Sequence, residues 1–191
     1  IKRVLRDPVS LFFTALLPAF FYIIFGAAQS YGSQDAGNGN VAMSIMIAMA
    51  AYGAVTATVS IGGRAAVERM QGRGRQLGLT PLRDSSFVTV KTLLALVIAA
   101  IPIALVYIIG AATGAEGTAR AWLLSGLVLV LGAIVFALYG LAFGLAFRSE
   151  AAVSAASGSV VILGFLGNIF FPLSGALLSF AKFTPLYGYA A

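Results

Sequence analysis

The chain has 191 residues, of which 60% are hydrophobic and only 9% charged, with a formal net charge of +6. A soluble domain carries about 25% charged residues, so folding in water would leave large apolar patches uncovered, and a membrane protein is the first reading. Cys and His are absent, which removes disulfides, thiol chemistry, imidazole bases and most transition-metal sites.

Opening on Ile1 rather than Met, the chain reads as part of a longer one. Residues 1–7 are basic, like the end of a cytoplasmic or interfacial helix. Asp7-Pro8 is a helix start, because Asp caps free N–H groups and Pro is tolerated at the first helical position. The uncharged run 9–28 is the first expected span, since about twenty helical residues cross a hydrocarbon core of about 30 Å. Pro18 sits in its middle and is expected to kink it. Residues 29–40, rich in Gly, Ser, Asn and Gln and without Lys or Arg, read as a flexible polar loop on the outer face.

The second expected span is 41–63. After it comes the longest polar segment, 64–91, which holds six of the twelve basic residues together with Glu68 and Asp84. Val67, Met70, Gly74 and Leu77 fall at helical spacing there, but Gly72, Gly74 and Gly78 oppose one long helix. The spacing predicts a short continuation of the second span, a break near 72–78, and a restart capped by Thr80-Pro81 or Asp84-Ser85. Further spans are expected at 92–113, with Pro102 near its centre, at 121–147, with Trp122 as an interface anchor, and at 151–171. Pro172, Gly175, Pro185 and Gly188 interrupt residues 172–191, so this segment reads as a short helical hairpin on the outer face.

The expected fold is thus an all-α polytopic membrane protein. Five transmembrane helices are visible, and a sixth follows in a complete chain. Ten of the twelve basic residues fall on one side of this topology, with only Arg120 and Lys182 on the other. Basic residues accumulate on the cytoplasmic side, which sets the N-terminus and the 64–91 loop inside. This placement in short loops explains the positive charge better than nucleic-acid binding does.

Chemistry is sparse. No span carries an ionisable residue deep inside it, as an ion-coupled pump would need. There are no clustered carboxylates and no phosphate-binding Gly-rich loop followed by Lys-Ser/Thr. The chain is expected not to be an enzyme, and energy for uphill transport must come from a partner. Small residues four apart, Gly140 with Gly144 and Ser154 with Gly158, allow close helix approach, read here as packing within the chain rather than a dimer face. Tyr52, Tyr107 and Tyr139 read as packing residues. Asn168 is a candidate for the substrate path, or equally a cap on neighbouring backbone.

Three motifs in order carry a family resemblance. Arg6-Asp7-Pro8, Leu11-Phe12-Phe13, Pro18 and Phe25-Gly26 resemble the first span of ABC-2 type permeases. Glu68-Arg69-Met70-Gln71-Gly72, Leu77, Thr80-Pro81-Leu82 and Lys91 are similar to the family's E-R-x-x-G…L-x-x-T-P-L…K signature. Phe171-Pro172-Leu173 and Pro185-Leu186-Tyr187 resemble its segment between the fifth and sixth spans. The loop departs from the family in its extra glycines.

The resemblance implies the permease subunit of an ATP-driven exporter in the cell membrane. Such a subunit pairs with a second permease copy or homologue and with a cytoplasmic ATP-binding subunit that supplies ATP and Mg. It binds no cofactor itself. Glu68, Arg69, Gly72, Arg73, Leu77, Thr80, Pro81 and Leu82 would form the element coupled to the ATPase. An uncharged path favours a hydrophobic or amphipathic substrate such as a drug, lipid or polysaccharide-like molecule. The alternative is a membrane assembly subunit that does not transport and binds a cytoplasmic partner through its basic loop.

Overall fold

The computed structural model describes residues 8–68, 84–146, 151–167, 169, 174–184 and 186–187. The chain is an all-α polytopic membrane protein. Its helices are α1 (Pro8–Ala27), α2 (Val41–Glu68), α3 (Asp84–Ala112), α4 (Ala119–Ala146), α5 (Ala151–Leu166) and α6 (Gly175–Ala181). Among the described residues, α1 to α4 are long and apolar enough to cross a membrane, and α5 is a shorter apolar helix. The helix at the fifth expected span therefore ends at Leu166, five residues before the expected boundary. At seven residues, α6 is about 10 Å long, far short of a hydrocarbon core.

The bundle is organised around α2, which packs against α1, α3, α4 and α5. Of its apolar stretch 72% is buried inside the bundle, against 22% for α4. The sequence of α2 explains its place. Ala50, Ala51, Ala54 and Ala57 are fully or almost fully buried, and their small side chains let neighbours close in from several sides. Large residues face outward instead on the helices around it: Phe20 on α1, Ile108 on α3 and Leu131 on α4 are each more than half exposed. In water this would be a liability; beside lipid tails it is the satisfied state.

A glycine of α2 and one of α4 set close helix approaches. A Cβ on Gly53 would lie 2.9 Å from Pro102 Cβ of α3, 3.0 Å from the Thr14 carbonyl oxygen of α1 and 3.2 Å from Pro18 Cγ. Both mid-span prolines therefore meet at one glycine. A Cβ on Gly140 would lie 2.7 Å from Val59 Cα and its carbonyl oxygen, so α4 rests on the backbone of α2. Gly140 thus packs within the chain, as expected. Gly158 differs: a Cβ there would meet nothing within 4 Å, so its small side chain serves no close contact among the described residues.

Around Pro18, α1 departs from regular α geometry. Having no N–H, it cannot close the turn onto Thr14, and its ring crowds that carbonyl. The helix widens just before it: Phe12–Leu16 is a π turn, and the Leu17 N–H reaches back five residues to the Phe12 carbonyl. A second π turn covers Ile23–Ala27.

Tyrosine hydroxyls tie the helices together. Tyr22 of α1 hydrogen-bonds Thr113 Oγ1 just past α3 (3.1 Å), Tyr107 of α3 donates to Ser125 Oγ of α4 (2.8 Å), and Tyr139 of α4 donates to Ser159 Oγ of α5 (3.0 Å). Trp122 stacks edge-on against Tyr107, with ring centroids 5.5 Å apart. Where composition reads a flexible loop, residues 29–40 carry a small hairpin, β1 (Asp35–Ala36) and β2 (Gly39–Asn40), turned at Gly37 with φ +70°. Asn40 fastens this hairpin to the turn between α3 and α4.

Candidate functional site

One face of α2 carries Tyr52, Thr56, Ser60 and Arg64. Their spacing of four places them one above another along the helix. This row faces a cleft of about 340 Å³ between α1, α2 and α5. From α1 come Ser10 and Thr14 with the apolar Val9, Phe13 and Leu17, and from α5 come Ser157 and Val161. Val9, Phe13 and Val161 are respectively 65%, 53% and 42% exposed, so the cleft opens sideways toward lipid.

Three of the hydroxyls can stand in an apolar span because each is satisfied by its own helix. Thr56 Oγ1 donates to the Tyr52 carbonyl (2.8 Å), Ser60 Oγ to the Thr56 carbonyl (2.8 Å), and Thr14 Oγ1 to the Ser10 carbonyl (2.7 Å). Such bonds to the preceding turn are the usual way for Ser and Thr to meet the low dielectric of a membrane. Each proton is thereby committed, and each oxygen keeps lone pairs that can accept. At one end the row finishes in the Arg64 guanidinium, a fixed positive charge with donors only. From Tyr52 to Arg64 the row is about 18 Å long. The site offers an apolar wall, a line of acceptors and one cationic terminus.

Sequence reasoning missed this cleft. It counted Arg64 only as a charge that sets topology and Tyr52 only as packing. The signal was present in the four-residue polar spacing of α2, set in an otherwise apolar stretch. What the sequence could not give was the partner helices that turn a stripe into a cleft.

Of the residues expected to couple to an ATPase, Glu68 is the last residue of α2. Its Oε2 accepts from Lys91 Nζ of α3, and the side chains of Glu68 and Lys91 are 33% and 14% exposed. The two ends of the intervening loop are thus pinned by an ion pair. Arg69, Gly72, Arg73, Leu77, Thr80, Pro81 and Leu82 lie outside the described residues, as does Asn168. No group of three or more metal-ligating side chains occurs among the described residues.

No family model matches the chain, and no solved structure matches it. The chain is 25% identical, over 196 aligned positions, to the Bacillus subtilis (strain 168) protein named "Putative transport permease YvfS". The alignment covers 100% of this chain and 79% of that protein, so the similarity to a transport permease runs through every helix described above.

Proposed function

We infer that the chain is the membrane permease subunit of an ATP-driven ABC exporter, of the ABC-2 type its motifs resemble. It sits in the cell membrane with its N-terminus and the 64–91 loop in the cytoplasm. The observation that carries this reading is the full-length similarity to a protein named as a transport permease. The cleft between α1, α2 and α5 supports it, because its polar row offers a bound molecule acceptors within an otherwise apolar span. Its mixed walls suit a hydrophobic or amphipathic substrate. The energy comes from a separate ATPase that docks on the 64–91 loop, with ATP and Mg bound on that partner, and a second permease copy or homologue completes the transporter.

Glu68 takes a changed role in this reading. Paired with Lys91, it holds the loop ends together, and direct contact with the ATPase falls to the loop beyond it, beginning at Arg69. The test is co-expression with any P-loop ATPase encoded beside the permease gene, followed by purification through a tag on the permease. The ATPase is expected to co-purify and its hydrolysis to rise with substrate. Arg69→Ala is expected to lower both at matched membrane expression. A folded, inserted permease that brings down no ATPase would overturn the exporter reading in favour of an assembly subunit.

A further inference from the structure

We propose that the cleft between α1, α2 and α5 binds an uncharged lipid whose headgroup carries hydroxyl donors, with the head on Thr14, Thr56, Ser60 and Ser157 and the acyl chain past Phe13 and Val161. This deepens the permease reading and rests on it for the claim that the bound molecule is cargo.

The protons in the cleft decide which ligand it suits. Thr14, Thr56 and Ser60 each donate to a carbonyl of their own helix. Their oxygens therefore meet a ligand as acceptors. A phosphate or carboxylate brings only acceptors and would set oxygen against oxygen along this row. A hydroxyl-bearing head brings the donors that the row lacks. Ser157 of α5 completes the set. It lines the same cleft, half-buried, and among the described residues its hydroxyl has no hydrogen-bond partner. In apolar surroundings an unpaired hydroxyl forfeits the bonds it would make in water, and a ligand hydroxyl restores them as donor or acceptor.

A cationic head finds no partner here. Among the described residues no Asp or Glu lines the cleft, so an ammonium group would lie between hydroxyls without a counter-ion. Arg64 stands exposed at the mouth and already has a partner within the chain, so binding is assigned to the hydroxyls alone. A purely apolar ligand would gain nothing from them. The lateral opening past Val9, Phe13 and Val161 lets the acyl chain remain in the bilayer while the head is held, so the whole molecule need not fit inside. A volume of about 340 Å³ lies at the low end of ligand sites, which span about 300–1,000 Å³, and suits a small head with the first carbons of its chain.

The test uses the full chain reconstituted in phosphatidylcholine nanodiscs. Three fluorescent probes with the same acyl chain are titrated: a monoacylglycerol with both hydroxyls free, its di-O-methyl ether, and a lysophosphatidic acid. The free monoacylglycerol is expected to bind at least about fivefold more tightly than its ether, the scale of one hydrogen bond. The anionic probe is expected to bind no more tightly than the free monoacylglycerol. Thr56→Val combined with Ser60→Ala removes two acceptors and should abolish the preference for free hydroxyls. Ser157→Ala should lower that preference by about half or more, and it decides the matter alone if the double variant does not fold. Ser179→Ala removes an exposed hydroxyl from α6, outside the cleft, and should leave the preference intact. Equal binding of the monoacylglycerol and its ether to the wild type would overturn the proposal, as would tighter binding of the anionic probe. So would a preference that survives the variants of the cleft or is lost with Ser179→Ala. Binding is read without ATP or transport, so the two readings fail separately. Selective binding without any ATPase partner would sink the exporter and keep the site; ATP-coupled transport without a preference for free hydroxyls would do the reverse.

Discussion

Gly140 of α4 sits directly on the backbone of Val59 of α2, with room for a hydrogen but not for a methyl group. The two helices also meet from the other side, because a Cβ on Gly62 would press into the Gly140 carbonyl carbon and the Leu141 nitrogen. Backbone cannot rotate aside as a side chain can. Gly140→Val or Gly62→Val should therefore destabilise the bundle by about 1–3 kcal/mol or more. Gly158→Val, which meets no neighbour, is the matched control. Thermal melting in detergent, followed by size-exclusion chromatography, checks this; equal melting of all three variants would contradict the close crossing.

Asn40 is a second structural point. Its Oδ1 accepts from the Met43 N–H at 2.9 Å, capping α2, and from the Glu116 N–H at 3.1 Å. Its Nδ2 donates to the Gly114 carbonyl at 2.8 Å. The side chain is almost fully buried, so Asn40→Ala leaves backbone groups without partners. A loss of at least about 2 kcal/mol is expected, with faster proteolysis of residues 29–40. An unchanged melting midpoint together with unchanged cleavage would show that the hairpin is held in some other way.

The pair between Glu68 and Lys91 should show measurable coupling. Both side chains are partly shielded, and a double-mutant cycle with Glu68→Gln and Lys91→Met is expected to give about 1 kcal/mol. Additive single effects would mean that the ion pair does not pin the loop.

In the cleft, Thr56→Val keeps the shape and removes one acceptor. The Tyr52 carbonyl that Thr56 caps remains within the helix ladder, so stability should hardly change. Substrate-stimulated hydrolysis should fall about fivefold, the value of one hydrogen bond of about 1 kcal/mol. A wild-type rate would remove Thr56 from the substrate path.

Orientation is open to chemistry because the chain lacks Cys. Ser33→Cys should react with an impermeant thiol reagent in intact cells, and Ser85→Cys should not. The reverse pattern would invert the topology.

Much of the fold was legible in the sequence. Uncharged runs of twenty or more residues mark α1 to α4 because a bilayer imposes a length and forbids charge. The described part of α1 runs from Pro8 and that of α3 from Asp84. The centre of the bundle was less legible. Every span is apolar, so hydrophobicity does not say which helix is surrounded; only the alanines and glycines of α2 hint at it. The fixing of residues 29–40 was hidden for a related reason. Gly- and Asn-rich composition reads as freedom, whereas Asn40 uses the same polarity to bond across 74 and 76 residues of sequence. The cleft needed three helices at once, and a sequence shows one at a time.

The widened turn at Phe12–Leu16 has a consequence for how this site could arise. A π turn holds one residue more than an α turn, and here it accommodates Pro18 without breaking the helix. Each α-helical residue turns the chain by about 100°. Deleting one residue from that turn would remove the extra residue and swing Val9 and Ser10 by about that angle relative to Pro18 and everything after it. Ser10 would then leave the cleft while Tyr22 stayed on Thr113. One codon thus separates a plain lipid-facing helix from one that presents a polar edge to a binding cleft, without disturbing the packing that holds the rest of the helix in place.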